Sequence, residues 1–541
     1  MMATIALSDL VPEHPYPFYN LGVEPWIPVE TLNGPEKLGF IELLRRCHEV
    51  LDLRVGDPLE RFALLRYLIS LTYLIYAYDP DGNWLDVLEG KPFPQTGVEA
   101  VVERMYNRWW LFHPSTPFAQ IPELRTTMSK TFTEKDNITS ATEGFECLVA
   151  FRPSKNNEIW WYKPDNHGMS YSEAALVLLG RHYAAVPGNE AGVLGESKSR
   201  CEGGLMVSGP QEVTNLVVGF PSFARLLAGN LISSLVDQIT VESTLFFEAP
   251  TAVAEHLDDP LYRYSASSAA AFLVWPGEGN AISRVLRAPL PIPVATTKSL
   301  MVNARLADPH VLRVRAAIGS SDADNPNKGL VSFSATGTQF ENVFNLYKRA
   351  ADGNSSLRTC VLQPRERLFP SKTSTTSLVG VTITGGGTFT GTRIEAVSPI
   401  ALDPNPLLLE ADPAHALCFL INRLVDSKNS CLSYLNFSIS RVIAGENSRP
   451  SDAKRSAISR QAQTLLWSTL DDSVARLYQT IATSPDGPWP TELPEQTKAE
   501  WIDNTVLIFD QIVGPYAYSP RTRARVAKYR HQLRSSLWKK I

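Results

Sequence analysis

The stretch VTITGGGTFTGTR, residues Val381–Arg393, places three consecutive glycines between β-branched residues. β-Branched residues favour strands, and glycine adopts the positive φ angles that tight turns require. We therefore predict two strands joined by a glycine-rich hairpin tip. The small hydroxyl side chains and the terminal arginine suit contact with a nucleic-acid groove. An ordinary hairpin on an enzyme surface is the alternative, and this stretch alone leaves both open.

The composition indicates a globular protein of several domains. A chain of 541 residues exceeds one hydrophobic core and predicts about two to four domains. Its 51 basic and 56 acidic residues give a formal charge of −5, so nucleic acid would be bound through local basic patches or partner subunits. The six cysteines are scattered without a CxxC pair, which argues against a zinc knuckle or a disulfide framework. We expect reduced thiols, no metal and no cofactor.

The N-terminal residues lack a basic stretch followed by an apolar core, so no signal peptide is predicted. The longest apolar run, Tyr67–Tyr78, is too short to span a bilayer and is interpreted as a buried helix. A cytoplasmic location is the expectation.

Two helix signals precede a second glycine-bearing segment. Asp57-Pro58 supplies an N-cap and a first-turn proline, and Ser172–Tyr183 predicts a short apolar helix. Gly188–Gly192 follows and is predicted as a loop, with Lys198 and Arg200 close behind it. Backbone N–H groups in such a loop could hold phosphates or reach base edges. The segment fits neither a P-loop nor a dinucleotide fingerprint, and a plain helix C-cap with a turn is the alternative.

The segment Arg125–Thr142 is polar, poor in aliphatic residues and without periodicity. This pattern predicts a mobile loop. A surface loop without function and a segment that becomes ordered on nucleic acid are equally good interpretations of it.

The pattern changes from strand-like to helical near residue 408. The first part predicts an α+β body, in which one helix, Gln339–Ala350, interrupts strands. The strands are predicted at Ala271–Trp275, Ile282–Leu286, Ser299–Val302, Val311–Ala316 and Leu330–Ser334.

The last part carries four helical patterns with short connections, and the first and last begin at Asp412-Pro413 and Ser519-Pro520. We therefore predict a mixed α/β domain over residues 1–408 and an all-α four-helix bundle over residues 409–541.

The final helix is basic throughout, with Arg521, Arg525 and Lys528 among eight cations and no acidic residue. A run of charge often marks a solvated face. The alternative, left open here, is a seat for RNA, DNA or an acidic partner surface.

Three stretches, in order along the chain, resemble the CasA family, the large subunit of the type I-E Cascade CRISPR surveillance complex. They are FYNLGVEPWIPV (Phe18–Val29), HPSTPFAQ (His113–Gln120) and DQIVGPYAYSP (Asp510–Pro520). The resemblance implies a non-catalytic subunit that recognises the protospacer-adjacent motif (PAM) in double-stranded target DNA and promotes duplex opening. It also implies other Cascade subunits, the guide crRNA and a helicase-nuclease as partners.

The resemblance further implies the residues of the interface. Its glycine loop corresponds to Gly188–Gly192, its lysine to Lys298 and its wedge-bearing hairpin to 385–393. Relatives can carry an asparagine-glutamine pair where this chain has Thr390-Gly391-Thr392, so the wedge role would pass to Phe389 or Arg393. The candidate PAM-contacting residues are Gly188, Asn189, Gly192, Lys298, Gly386, Phe389, Thr390, Gly391, Thr392 and Arg393. The family's nucleic-acid loop would place Lys130, Lys135 and Asn137 in contact with nucleic acid.

Two other function classes compete with this interpretation. One is an α/β enzyme that binds a phosphorylated ligand through its glycine loops, although the sequence carries no HExxH, GxSxG or P-loop motif. His113, which has no carboxylate or cysteine partner at a suitable spacing, is interpreted as structural. The other class is a helical scaffold that binds proteins through the basic last helix.

Overall fold

The computed structural model describes residues 4–311 except 149–167 and short gaps, 376–402 except 385–392, and 411–541 except 445–457, 474–492 and isolated positions. The described residues up to Leu402 form one compact unit and those from Ala411 onward form another. The predicted helix Gln339–Ala350 and the predicted strand Leu330–Ser334 lie outside the described residues. A domain boundary at residues 408 and 409 stays a prediction.

The first unit combines short helices with short strands. Its helices are α1 (Leu7–Leu10), α2 (Phe40–Arg45), α3 (Pro58–Tyr78), α4 (Trp84–Leu88), α5 (Gln95–Met105), α6 (Leu124–Thr127), α7 (Ile138–Ala141), α8 (Tyr171–Ala184), α9 (Phe223–Gly229), α10 (Ser233–Val236), α11 (Val253–His256), α12 (Pro260–Tyr264) and α13 (Val294–Ala307).

Its strands are β1 (Thr4–Ile5), β2 (Phe18–Asn20), β3 (Ile27–Thr31), β4 (Gly34–Leu38), β5 (Val50–Leu53), β6 (Trp110–Phe112), β7 (Phe132–Thr133), β8 (Glu143–Gly144), β9 (Gly188–Ala191), β10 (Lys198–Cys201), β11 (Glu212–Gly219), β12 (Ala269–Leu273), β13 (Arg284–Pro289), β14 (Thr376–Thr384) and β15 (Arg393–Leu402).

All strand pairs among the described residues are antiparallel, and they form several small sheets rather than one large one. The three-stranded sheets are β4-β3-β5, β12-β13-β8 and β11-β14-β15. Antiparallel sheets with helices alongside define an α+β fold, so the predicted fold class is confirmed.

Helix α3 is the central helix of this unit. Asp57 caps it by accepting hydrogen bonds from the backbone N–H groups of Leu59 and Glu60, and Pro58 occupies the first turn, as predicted. The helix is buried along nearly its whole length, because its apolar residues surround it instead of following one stripe. Helices α5, α8 and α9 pack around it.

The predicted strand Ser299–Val302 is wrong, because these residues lie in helix α13. The buried residues of this helix are Thr297, Leu300, Met301, Ala304 and Arg305. Their spacing is that of one helical face. A window of four residues is too short to distinguish this period from the alternation of a strand.

A buried ion pair joins α3 to the end of α13. The Arg66 guanidinium lies 3.0 Å from the Asp308 carboxylate, and both side chains are 0% exposed. The rings of Tyr183 and Tyr264 flank the guanidinium, each with its centroid 5.3 Å from the central carbon. The cation thus interacts with aromatic faces as well as with the carboxylate.

His310 follows in the same buried network. Its Nδ1 lies 3.0 Å from the Leu216 carbonyl oxygen, which can only accept, so Nδ1 carries the proton. Its Nε2 therefore accepts from the Tyr264 hydroxyl at 2.7 Å. Burial and the nearby Arg66 charge lower the pKa of His310 to about 4.

The second unit consists of helices among its described residues: α14 (Ala411–Ala444), α15 (Glu495–Val513) and α16 (Pro520–Lys540). Each of the three packs against the other two. Ser519 caps α16 in a capping box with Thr522, as its Ser-Pro signal predicts. Described residues between 458 and 473 are also helical, and an arrangement of four helices remains our proposal.

None of the helices among the described residues combines the length and the apolar character needed to cross a bilayer.

Removing the charge of Asp308 should destabilise the first unit strongly. Asp308→Asn leaves Arg66 buried without its counter-charge, and we expect the free energy of unfolding to fall by about 3–5 kcal/mol. Denaturant unfolding followed by tryptophan fluorescence measures the loss. The matched control is Glu99→Gln, which breaks an exposed pair with Arg45 and should cost less than about 1 kcal/mol. Equal losses in the two variants would contradict this assignment.

The buried histidines should make the protein sensitive to acid. The pKa of His182 lies at about 3 and that of His310 at about 4, because burial disfavours the charged imidazolium and Arg66 repels it. Below a pH of about 6.5 the unfolded chain binds protons that the folded chain does not. The free energy of unfolding therefore decreases as the pH is lowered. Between about pH 7 and pH 5 we expect a loss of about 2 kcal/mol for each histidine.

Unfolding titrations at both pH values measure this loss. His310→Gln should make the dependence shallower, because it removes one of the two buried histidines. A wild-type stability that is flat over this pH range would contradict the prediction.

Candidate nucleic-acid interface

The predicted glycine loop is a β-hairpin. Gly188 and Asn189 lie in strand β9, which pairs with β10, so their assignment to a loop is wrong. The turn comprises residues 192–197, and we call it the 192–197 turn. The loop prediction used only the glycine spacing, whereas the strand is defined by its pairing with residues further along the chain.

Gly192 is required by the geometry of this turn. A Cβ atom at Gly192 would come 1.8 Å from the Glu196 carbonyl oxygen, whereas a Cβ at Gly188 would meet open space. The absence of a side chain therefore shapes the turn at Gly192 and has no such role at Gly188.

Glu190 anchors the hairpin to the body of the unit. Its side chain is 7% exposed and lies 2.8 Å from Arg181 of α8 and 3.6 Å from Arg287 of β13. Because side chains alternate along a strand, burial of Glu190 turns Asn189 to the opposite, exposed face. The role of Glu190 was not predicted from the sequence. The only local signal for it is an acidic residue among small residues in a short strand.

The exposed face of the hairpin carries polar and basic side chains. Arg200 pairs with Asn189 across the ladder, and Lys198 pairs with Ala191. Lys198 and Arg200 are exposed, while Ser199 between them is buried. This face can contact an anionic surface through its cations and through the Asn189 amide.

The 192–197 turn is hydrogen-bonded to the first part of the predicted nucleic-acid loop Arg125–Thr142. Ser129 donates its backbone N–H to the Gly192 carbonyl at 3.0 Å, and Leu194 donates its own to the Thr127 carbonyl at 2.8 Å. The Gly195 N–H donates to the Ser129 Oγ at 2.8 Å. The structure thus places two of the sequence-predicted elements side by side.

The predicted mobile loop Arg125–Thr142 contains regular structure, so the prediction is wrong in this respect. Asn137 caps the short helix α7, and the Lys130 amine donates to the Ser140 carbonyl at 2.6 Å. These two candidate residues therefore have structural roles within the loop. Lys135 is exposed.

Lys298 is exposed on helix α13, whose later turns contact the chain after β10. Arg305 of this helix donates to the Glu202 and Gly204 carbonyls, the latter at 3.0 Å. With a rise of about 1.5 Å per residue, Lys298 lies about 10 Å along the helix from Arg305. The helix that carries the candidate lysine is thus attached to the hairpin.

The third candidate element is the sheet β11-β14-β15. Strands β14 and β15 pair with Thr384 opposite Arg393, so the predicted strands on either side of the glycines are present. The candidate residues between these strands lie outside the described residues: Gly386, Phe389, Thr390, Gly391 and Thr392. Strand β11 is bound to residue 310, because Leu216 and His310 exchange hydrogen bonds of 2.9 and 3.0 Å.

Residues 305–311 connect all three elements, and we call them the linking segment. Arg305 binds the chain after β10, and the segment follows directly from the helix of Lys298. His310 binds β11, where Val311 also forms a bridge with Asn215. Sequence reasoning missed this segment, which has no motif of its own.

The remaining candidates are placed elsewhere. Arg521 and Lys528 are exposed on α16 and Arg525 is half-buried, while Arg530 and Arg534 form ion pairs with α15. His113 Nδ1 accepts the backbone N–H of Thr116 at 2.9 Å, which orders its loop. Among the described residues, no three His, Cys, Asp or Glu side chains converge as a metal site would require.

Comparison with known proteins agrees with this fold. The sequence model of the family described as CRISPR-associated protein Cse1 matches residues 20–226, which include the β9–β10 hairpin. The CasA/Cse1 protein of Thermus thermophilus is 33% identical over 108 residues, a match that covers 20% of this chain and 21% of that relative.

Solved structures match over almost the whole chain. Thermobifida fusca Cse1 has a TM-score of 0.71 at 18% identity and covers 96% of this chain and 98% of its own. Acidimicrobium ferrooxidans Cse1 has a TM-score of 0.69 at 16% identity, with 97% and 99% covered. A chain of a CRISPR RNA-guided surveillance complex has a TM-score of 0.65 at 17% identity, with 96% and 100% covered.

The fold is therefore that of the Cse1 proteins, a class of CRISPR-associated proteins. The family model and the Thermus thermophilus relative match parts of the chain, residues 20–226 and 108 residues, and over those parts the sequence is similar to the CasA/Cse1 family. The resemblance predicted from the sequence is confirmed.

The two glycines of the hairpin should respond differently to a methyl group. Gly192→Ala forces a Cβ against the Glu196 carbonyl, and we expect a loss of about 1–3 kcal/mol in the free energy of unfolding. Gly188→Ala should cost less than about 0.5 kcal/mol, because its Cβ meets open space. Thermal unfolding of the two variants makes the comparison. A tolerated Gly192→Ala would contradict the close approach in the turn.

Proposed function

We propose that this protein is the large subunit of an RNA-guided surveillance complex of the type I-E Cascade class. In this proposal it recognises the PAM in double-stranded target DNA, promotes opening of the duplex and recruits the helicase-nuclease. It acts by binding and carries no catalytic site. Sequence similarity to the CasA/Cse1 family over part of the chain and likeness in fold to a chain of a CRISPR RNA-guided surveillance complex support the assignment.

One observation carries the DNA-contacting part of the proposal. The linking segment holds the β9–β10 hairpin, the helix of Lys298 and the sheet that leads into residues 385–392 on one frame. Elements that read a few base pairs together must keep a fixed spacing, because misplacement by a fraction of a base-pair step breaks the contacts. Attachment to one short segment provides that spacing.

The chemistry of the exposed residues fits a short and permissive motif. Minor-groove edges mainly distinguish A·T from G·C pairs, so small side chains, backbone groups and one lysine suffice to read them. In RNA-guided systems the guide reads the long sequence and the protein reads only the motif and the duplex shape. Lys298 and the face with Asn189 and Arg200 supply groups of this kind.

The net charge supports action within an assembly. A formal charge of −5 disfavours tight binding of DNA by the isolated chain, since affinity for the phosphate backbone grows with positive charge. Partner subunits of the crRNA-bearing complex would supply a positively charged channel for the DNA. The basic helix α16, with Arg521, Arg525 and Lys528, is proposed as a seat for nucleic acid or for an acidic partner surface.

Replacing Lys298 tests the proposal. In the assembled complex, Lys298→Ala should weaken binding to PAM-bearing duplex by about tenfold, because it removes a cation from the groove. Combining it with Gly386→Trp should weaken binding further, because it places bulk in the stretch that the sequence predicts to be a hairpin tip. Gel-shift titration at fixed salt measures both, with Lys37→Ala at an exposed lysine of β4 as the control. Unchanged affinity in the Lys298 variant would count against its assignment.

A further inference from the structure

Arg287 is shared by two elements of the candidate interface. It lies in strand β13, and its side chain is 15% exposed. One terminal amino group of its guanidinium lies 3.6 Å from the Glu190 carboxylate of the β9–β10 hairpin, and the other lies 3.4 Å from the Glu143 carboxylate of β8. Glu143 directly follows the segment Arg125–Thr142, which is the predicted nucleic-acid loop. One cation therefore joins the hairpin to the end of that segment.

The charges around Arg287 balance. Glu190 also lies 2.8 Å from Arg181, whose side chain is 6% exposed. Two cations and two carboxylates thus form a chain in the order Arg181, Glu190, Arg287 and Glu143. Cations with so little exposure are stable only beside opposite charge, and the planar fork of a guanidinium can contact two carboxylates at once. An arginine at this position therefore ties together two elements that an apolar side chain would leave separate.

The hairpin and the segment Arg125–Thr142 meet at a second place as well. The 192–197 turn is hydrogen-bonded to residues 127–129. Strand β13 contacts both elements, because it packs against β9, β10 and helix α6 and pairs with β8. Backbone groups hold the two elements together at the turn, and Arg287 holds them at the opposite end of the segment. Two separate attachments prevent one element from pivoting on the other.

We propose that Arg287 is a positioning residue that determines specificity for the PAM without contacting DNA. It holds the β9–β10 hairpin and the segment Arg125–Thr142 as one rigid surface. This inference rests on the proposed function and adds to it the residue that keeps two of its elements in register. Contacts to phosphates tolerate small displacements, whereas contacts to base edges require a fixed spacing. Loss of Arg287 should therefore reduce discrimination more than it reduces binding to DNA in general.

The test compares Arg287→Met with wild type in the assembled complex. Methionine keeps an unbranched side chain and removes the charge. Glu190 keeps Arg181 as its partner, and the Glu143 side chain is 40% exposed, so neither carboxylate is left buried and unpaired. Gel-shift titrations measure the affinity for a duplex bearing the PAM and for one with the PAM scrambled. The first affinity should fall by about tenfold and the second by less than about twofold.

Salt dependence distinguishes a positioning residue from a cation that contacts DNA. Each phosphate contact adds about −0.9 to the slope of log K against log salt concentration. Arg287→Met should leave that slope unchanged, and a slope that is shallower by about one would assign Arg287 to a phosphate contact and overturn the proposal. The matched control is Arg284→Met, at a half-buried arginine of the same strand that is not part of the charge chain. It should keep wild-type discrimination between the two duplexes.

Glu143→Gln tests the link between the two elements. It breaks one contact of Arg287 at a partly exposed carboxylate, so it carries the test even where Arg287→Met fails to fold. Alone it should lower discrimination, the ratio of the two affinities, by about threefold. In the Arg287→Met background it should change nothing further, because the contact is already lost. Wild-type discrimination in Glu143→Gln, additive losses in the double variant, or equal losses of Arg287→Met on both duplexes overturn the positioning role. A wild-type complex without PAM preference overturns the proposed function instead.

Discussion

The buried pair of Arg66 and Asp308 is the constraint on which the arrangement of the first unit depends. Two opposite charges without solvent exposure are stable only while they stay together, because separating them leaves a charge in an apolar interior. Asp308 lies in the linking segment, so this segment cannot shift on α3 without uncovering Arg66. The Arg66–Asp308 contact therefore fixes the linking segment in the core, and this segment in turn contacts the chain after β10 and strand β11.

The elements that could be predicted from sequence are those with local signals. Asp57-Pro58 and Ser519-Pro520 mark helix starts because an N-cap side chain bonds to N–H groups two or three residues away. The apolar run Tyr67–Tyr78 is buried as far as Tyr76, because a helix that is apolar all round must be covered. The prediction of a strand at Ser299–Val302 was wrong because four residues do not distinguish the spacing of a helix from the alternation of a strand.

For the candidate site, the sequence suggests residue types, and only part of the local geometry around them could be predicted. Glycines, Lys298 and the strands around residues 385–392 could be named from composition and resemblance. The burial of Glu190 by Arg181 and Arg287 depends on pairings between distant parts of the chain, and no local pattern encodes them. The same holds for Lys130 and Asn137, whose side chains are used to fold their own loop.

The contact between the 192–197 turn and residues 127–129 has a consequence for how such chains can diverge. Backbone groups and the Ser129 hydroxyl from two segments more than sixty positions apart bond in a fixed register. An insertion or deletion in either segment would offset every one of those bonds at once. The lengths of the two segments are therefore free to change only together. Paired length changes in relatives would keep the 192–197 turn in its position.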